Sequence, residues 1–548
     1  MSLFCNAVQA GWPRLASETS VPSPCATVAL MRLAAFTLLL ASFAAAQQPK
    51  PIHIDSGKLQ GVLTADQKVV AYKGIPYAAP PVEDLRWRPP QPTGKWKGIF
   101  QARDFGAHCI QFGSYPDMVF HDPGPSEDCL TLNVWAPADA KPSTKSGGLP
   151  VMVWIYGGGL QTGGTSENRQ DGQYLAHRGV IVVSMNYRLG VFGFLALPEL
   201  TSESQHHSSG NYGLMDQTAA INWVRRNIAA FGGDANNITI FGESAGSESV
   251  SAQMASPLNA GLFARAIGES GSFFPAPDDV PPTLPQAEQA DQAWAERAFG
   301  SARLFYLRQL RTEEIVAAAT DRTRKAPSFS AVIDGWFLSD SLPHIYGDGK
   351  QAHIPTLGGW NANESRAHRG TTHAAFTSQA EAEFGADAPK FLALYPASTD
   401  DEALRSAGDY AGDKFIAFQT WAWLEAQAQT GHAPVYRYFF DLPSPGDRNH
   451  SVAAGAFHSD DIEYVFGTLD SRPQMKIRPE DRVLSDLMQQ YWVNFARSGD
   501  PNGPALPKWP TYGASTNWQV MHLDATPHAE PDKLRDRYLF LDKAWSGN

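Results

Sequence analysis

Apolar and polar positions change rhythm several times along this 548-residue chain, and each rhythm predicts a kind of element. Short runs bounded by Gly and Pro come first, KLQGV and then VVAYKGIPYAAPP, and read as strands. VMVWIYGGG (151–159) is an unbroken apolar run that stops at three glycines, and GVIVVSMNYR (179–188) is a second such run. Continuous apolar runs, rather than alternating ones, are what a strand covered on both faces requires. GLMDQTAAINWVRRNIAA (213–230) repeats its apolar positions at helical spacing, with Asp216 near its start. NITIF (237–241) predicts a third buried strand, and AGSESVSAQMASP (245–257) a helix that Pro257 helps to stop. HIPTLGGW and PVYRYFFD predict further buried strands. Alternating strands and helices of this kind predict an α/β fold, a large and mostly parallel sheet with helices on both faces.

Residues 275–330 break the alternation. A Pro-rich linker, PAPDDVPPTLP, is followed by a helical stretch (286–318) without clear strands. This predicts a helical insertion over the C-terminal edge of the sheet, where α/β folds place their sites. Strand-and-loop signals resume at 331.

Composition narrows the picture. Hydrophobic residues make up 43% and charged residues 18%, which excludes a disordered chain. The formal net charge is −12 with no basic stripe, which argues against nucleic acid or an anionic membrane as partner. Residues 31–46, MRLAAFTLLLASFAAA, carry one arginine, an apolar stretch and a run of small residues before Gln47. That is the pattern of a secretory signal peptide, too short for a stable membrane anchor. The expectation is a leader over 1–46, with the true start at Met31 and cleavage near Ala46. A single domain over 47–548 would then be secreted or periplasmic. Cleavage would remove Cys5 and Cys25 and leave Cys109 and Cys129. An even, closely spaced pair in an exported chain reads as a disulfide, two buried free thiols being the alternative.

The chemistry starts at ITIFGESAG (238–246). With 47 glycines in the chain, Gly-x-Ser-x-Gly alone is a weak signal. A nucleophile elbow also needs a strand before the serine, a helix after it and small neighbours. ITIF supplies the strand, Ala245 and Gly246 the neighbours, and SESVSAQMA the helix. Ser244 needs a base to become a nucleophile. The oxyanion formed on attack needs N–H donors, for which Gly158 and Gly159 of the strand-ending Gly157-Gly158-Gly159 and the amide of Ala245 are the candidates.

Several long blocks resemble the type-B carboxylesterases, the α/β-hydrolase group of para-nitrobenzyl esterases, liver carboxylesterases and cholinesterases. They include YKGIPYAAPPVEDLRWRPPQP (72–92), SEDCLTLNVWAP (126–137), VMVWIYGGGLQTG (151–163), MNYRLGVFGFL (185–195) and AIGESGS (266–272). GNYGLMDQTAAINWVRRNIAAFGGDANNITIFGESAG (210–246) is the longest. The resemblance implies a Ser–acid–His triad. GGWNANES (358–365) nominates Glu364, and GAFHSDDIEYVFG (455–467) nominates His458 out of fifteen histidines. Asp334, Asp413, Asp460 and Asp461 are rival acids. Asp413 and Asp461 are expected to support the site from behind, and Glu243 to anchor the elbow from below.

The implied activity is hydrolysis of small-molecule carboxylic esters through an acyl-enzyme, without metal or organic cofactor, by a monomer or weak homo-oligomer. A non-catalytic, adhesion-type relative is the alternative reading; such members typically lack the nucleophile that this chain keeps. The loop between the two cysteines has no tryptophan, which argues against a cation–π cage for choline. Leu160 stands where the family usually places an aromatic. Phe112, Tyr115, Phe120, Phe273, Phe274 and Trp336 are candidates to line an apolar gorge, with a core aromatic the favoured reading for any one of them. His206, His207, His368 and His373 are expected in solvated loops rather than at a metal.

Overall fold

The computed structural model describes residues 48–143, 147–274, 276, 280–365, 371–446 and 455–545. The expected leader, most of the Pro-rich linker's first half and His368 lie outside them.

An eleven-stranded sheet organises the chain. Its strands are β1 (Val62–Leu63), β2 (Val69–Pro76), β3 (Thr131–Pro137), β4 (Leu149–Ile155), β5 (Ile181–Met185) and β6 (Gly233–Glu243). They continue with β7 (Arg265–Glu269), β8 (Thr356–Asn361), β9 (Val435–Phe440), β10 (Gln519–Leu523) and β11 (His528–Pro531). The spatial order is β11-β10-β9-β8-β7-β6-β4-β5-β3-β2-β1. The run from β5 to β10 is parallel, while β1, β2, β3 and β11 pair antiparallel at the two sides. Helices cover both faces, so the central strands are buried throughout, as their unbroken apolar runs require. Trp154 of β4 and Phe241 of β6 pack at 4.8 Å, and Phe466 closes on Trp154 at 4.9 Å.

The long amphipathic segment forms α1 (Tyr212–Asn227). Its buried Asp216 takes two bonds from the Arg188 guanidinium, at 2.8 and 2.7 Å, fixing the helix to the segment after β5. The elbow serine is followed by α2 (Ala245–Ala255), which ends before Pro257.

The helical stretch after the linker is three helices, α3 (Leu284–Phe299), α4 (Leu304–Gln309) and α5 (Thr312–Thr320). They lean on the segments around Arg86 and Glu199, where Arg86 donates to the Leu310 carbonyl at 2.8 Å and Leu304 N–H to Glu199 at 2.8 Å. A second helical excursion, between β8 and β9, has no counterpart in the sequence expectation: α6 (His373–Phe384), α7 (Ala388–Leu394), α8 (Asp400–Gly412) and α9 (Phe418–Thr430). A single π-turn, Asp413–Ala417, joins α8 to α9.

Candidate active site

Strand β6 delivers Ser244 at its C-terminal end, and α2 starts at the next residue. Ser244 sits at φ 55° and ψ −127°, a conformation that costs a residue with a Cβ free energy and persists only where its surroundings enforce it. The enforcement is visible: Ser244 N–H donates to the Glu269 carbonyl of β7 at 2.8 Å. Gly246 lies so close to β4 that any Cβ there would run into the Ile155 carbonyl oxygen. The small residue in the motif is therefore a matter of contact between the helix start and the neighbouring strand.

Glu364 follows β8, and His458 lies on the loop before a short helix (Ile462–Phe466). The two loops are stitched together: Asn361 Nδ2 donates to the Phe457 carbonyl at 2.8 Å, and Asn363 N–H to the Ala456 carbonyl at 2.8 Å. This puts His458 Nδ1 2.7 Å from Glu364 Oε2 and His458 Nε2 3.0 Å from Ser244 Oγ. The other carboxylate oxygen of Glu364 accepts from Asn361 N–H at 2.6 Å and from the Ser270 hydroxyl at 2.5 Å. Ser270 carries no catalytic motif of its own in the sequence; its one signal there is its place in the block AIGESGS.

Glu243 does more than anchor the elbow from below. It is buried, and its Oε1 stands 3.4 Å from His458 Nε2. Asp461, also buried, accepts from Tyr438 Oη at 2.9 Å and from Asn361 Nδ2 at 3.2 Å, supporting the loop of Glu364 as expected. Burial, with Glu243 and Glu364 nearby, pushes the Asp461 carboxyl up to about 7. Burial alone would lower the pKa of His458, but the carboxylates of Glu243 and Glu364 outweigh it and hold the imidazole above its ordinary value.

The other rival acids are held by other partners. Asp413 accepts from Tyr395 Oη at 2.6 Å and Tyr538 Oη at 3.0 Å. Asp334 accepts from the N–H groups of Trp336 and Leu338, at 3.1 and 2.9 Å, and Asp460 from Phe457 N–H at 2.7 Å. None of these three bonds to His458. Asp413 lines the small cavity behind Glu364 and fastens the π-turn through the hydroxyls of Tyr395 and Tyr538.

Gly157, Gly158 and Gly159 stand beside Ser244 in a cavity of about 780 Å³. Ala245 opens α2, so its N–H has no acceptor one turn back along the helix. The same cavity takes Tyr115 to Met118 from the loop closed by the Cys109–Cys129 disulfide, together with Phe415, Ile416, Phe457 and Met475. Among the described residues, none of the expected insertion lines this cavity; Gln161, just after the glycines, donates to the Ser328 and Phe329 carbonyls at 2.6 and 3.0 Å. Of the candidate aromatics only Tyr115 lines the cavity. The others satisfy neighbours of their own: Phe120 stacks on His108 at 4.6 Å, Phe274 meets Tyr346 edge-on at 5.1 Å, and Trp336 stacks on His206 at 3.9 Å. Leu160 is buried. A smaller cavity of about 240 Å³ lies behind Glu364, bounded by Asp413, Arg437 and Tyr538. Among the described residues no cluster of His, Cys, Asp or Glu is arranged to hold a metal, and no helix is long and apolar enough to cross a membrane.

Known proteins resemble the chain over most of its length. The carboxylesterase family model matches residues 48–540. A fumonisin B1 esterase of Sphingopyxis macrogoltabida is 35% identical over 487 residues, covering 84% of each chain. A para-nitrobenzyl esterase of Bacillus subtilis (strain 168) is 35% identical over 509 residues, covering 89% of this chain and 98% of that one. A solved para-nitrobenzyl (PNB) esterase structure superposes with a TM-score of 0.76 at 33% identity, over 90% of this chain and 99% of the other.

Proposed function

The chain belongs to the carboxylesterase family, with the α/β-hydrolase fold and carboxylic ester hydrolase activity, and from that premise we propose that Ser244, His458 and Glu364 carry out the hydrolysis. His458 Nε2 takes the proton of Ser244 as Oγ bonds to the ester carbonyl carbon. Glu364 holds the imidazole by Nδ1 and stabilises its charged form. The amides of Gly158, Gly159 and Ala245 receive the oxyanion, a contribution of about 3–4 kcal/mol per donor in a comparable enzyme. Collapse breaks the bond to the alcohol oxygen, which leaves with the proton from His458. Water then enters and gives a proton to the same nitrogen as its oxygen bonds to the acyl carbon; collapse breaks the bond to Ser244 Oγ, which takes that proton back from His458 as the acid leaves.

The observation that carries this reading is the unbroken line of 3.0 and 2.7 Å contacts from Ser244 through His458 to Glu364. The non-catalytic reading is set aside with the family's activity established. Ser244→Ala should lower kcat by about 10⁶; retention of more than a small residue of activity by purified Ser244→Ala protein would overturn the assignment.

The cavity volume supports esters with bulky groups, since about 780 Å³ lies within the range of sites for drug-sized molecules. The Sphingopyxis relative, named for fumonisin B1, is consistent with that class. Export is proposed from residues 31–46, and the intact mass of the exported protein would fix the start and the cleavage site.

A further inference from the structure

We propose that Phe415 selects the alcohol portion of the ester. The inference rests on the roles given above to Ser244 and His458, and adds a residue to that site.

Phe415 lies at the middle of the π-turn Asp413–Ala417. A π-turn holds one residue more than the α-helical pitch allows, and such turns are frequent at functional sites. This one is fastened on both sides. Asp413 is gripped by the Tyr395 and Tyr538 hydroxyls at 2.6 and 3.0 Å. The Phe415 carbonyl accepts from Gln419 Nε2 at 2.7 Å, and the Gln419 carbonyl accepts from the Ser272 hydroxyl at 2.6 Å. Ser272 follows Gly271, which lies against the Ser244 carbonyl, so the turn is tied to the segment that supports the elbow.

The ring so placed is 47% exposed while its neighbour Ile416 is 2% exposed, and both line the cavity. Its centroid is 5.1 Å from that of the His458 imidazole, with the planes at 71°. No packing need accounts for a large apolar group left open there, whereas a ligand would cover it.

The chemistry decides which part of the ligand. Once Ser244 Oγ has bonded to the carbonyl carbon, the oxyanion turns to the amides of Gly158, Gly159 and Ala245. The alcohol oxygen must then face His458 Nε2, because that nitrogen returns the proton as the carbon–oxygen bond breaks. The substituent on that oxygen therefore lies along the histidine side of the cavity, where Phe415 is an aromatic surface within reach. The acyl group takes the remaining direction.

The test is an ester series with one acyl group and alcohols running from methanol to benzyl and naphthylmethyl alcohol, assayed with wild-type, Phe415→Ala and Phe415→Leu proteins. Phe415→Ala should lower kcat/KM about 10-fold more for the arylmethyl esters than for the methyl ester. Phe415→Leu should fall between, and breakdown of the shared acyl-enzyme should be the same in all three proteins. A second series, methyl esters of different acids, should show no selective loss. An equal loss across alcohols, or a loss that follows the acid, overturns the assignment of Phe415 while leaving Ser244 and His458 in place. Turnover surviving in Ser244→Ala overturns the underlying reading instead.

Discussion

The Glu243 carboxylate stands 3.4 Å from Nε2 of His458, the same ring nitrogen that faces the Ser244 hydroxyl at 3.0 Å. Two carboxylates, on opposite sides of one imidazole, thus favour its charged form. Only the neutral form can accept the serine proton, so kcat/KM should rise with pH along a limb lying above the ordinary histidine value of 6.5. Glu243→Gln removes one negative charge and should move that limb down by about one pH unit or more, since Coulomb attraction at this distance is worth that much even in water. A limb unmoved in the pH profile of Glu243→Gln would show that this carboxylate does not act on the histidine.

Glu364→Ala should cost about 10⁴ in kcat, because the imidazole loses both its orientation and its counter-charge. Asp413→Ala should leave the chemistry of a methyl ester near wild type but lower the melting temperature, by leaving the Tyr395 and Tyr538 hydroxyls unpaired, a loss of about 1–3 kcal/mol. Steady-state kinetics and thermal melts on the two proteins distinguish these effects; the opposite pattern would make Asp413 the working acid.

The Cys109–Cys129 disulfide closes a loop whose residues Tyr115 to Met118 form one wall of the cavity. Replacing both cysteines by serine should lower the unfolding free energy by about 2–4 kcal/mol, through the freedom returned to the unfolded chain. KM should rise more than kcat falls, since the loop touches the cavity and not the reacting atoms. Chemical denaturation and kinetics on the double variant check both parts.

How much of this was legible in the sequence follows from how local each feature is. The elbow was readable because a strand, a tight turn and a helix follow one another within residues 237–257, and the strand that ends in three glycines was readable for the same reason. Glu364 and His458 lie far from Ser244 in the chain, and no periodicity could bring them together; only resemblance nominated them. The structure unites them through Asn361 and Asn363, whose main-chain and side-chain bonds to 456 and 457 leave no trace in a pattern of apolar positions. The helices between β8 and β9 were missed because α6 and α8 pack against one another in an aromatic cluster around Phe391 and Tyr410, with long polar stretches facing out. Of the six candidate aromatics only Tyr115 lines the cavity, in keeping with the core reading of any one of them, because an aromatic type alone does not say which side of a wall it stands on.

The backbone at Ser244, held at φ 55° and ψ −127°, suits glycine better than any residue with a Cβ. The position that must carry a hydroxyl is thus the one where the chain would be most at ease carrying nothing. Ser244→Gly should melt at a higher temperature than the wild type while hydrolysing nothing, the reverse of what loss of a buried side chain normally brings. At this residue endurance and turnover pull in opposite directions. Selection for heat resistance without selection for turnover would therefore be expected to discard the nucleophile.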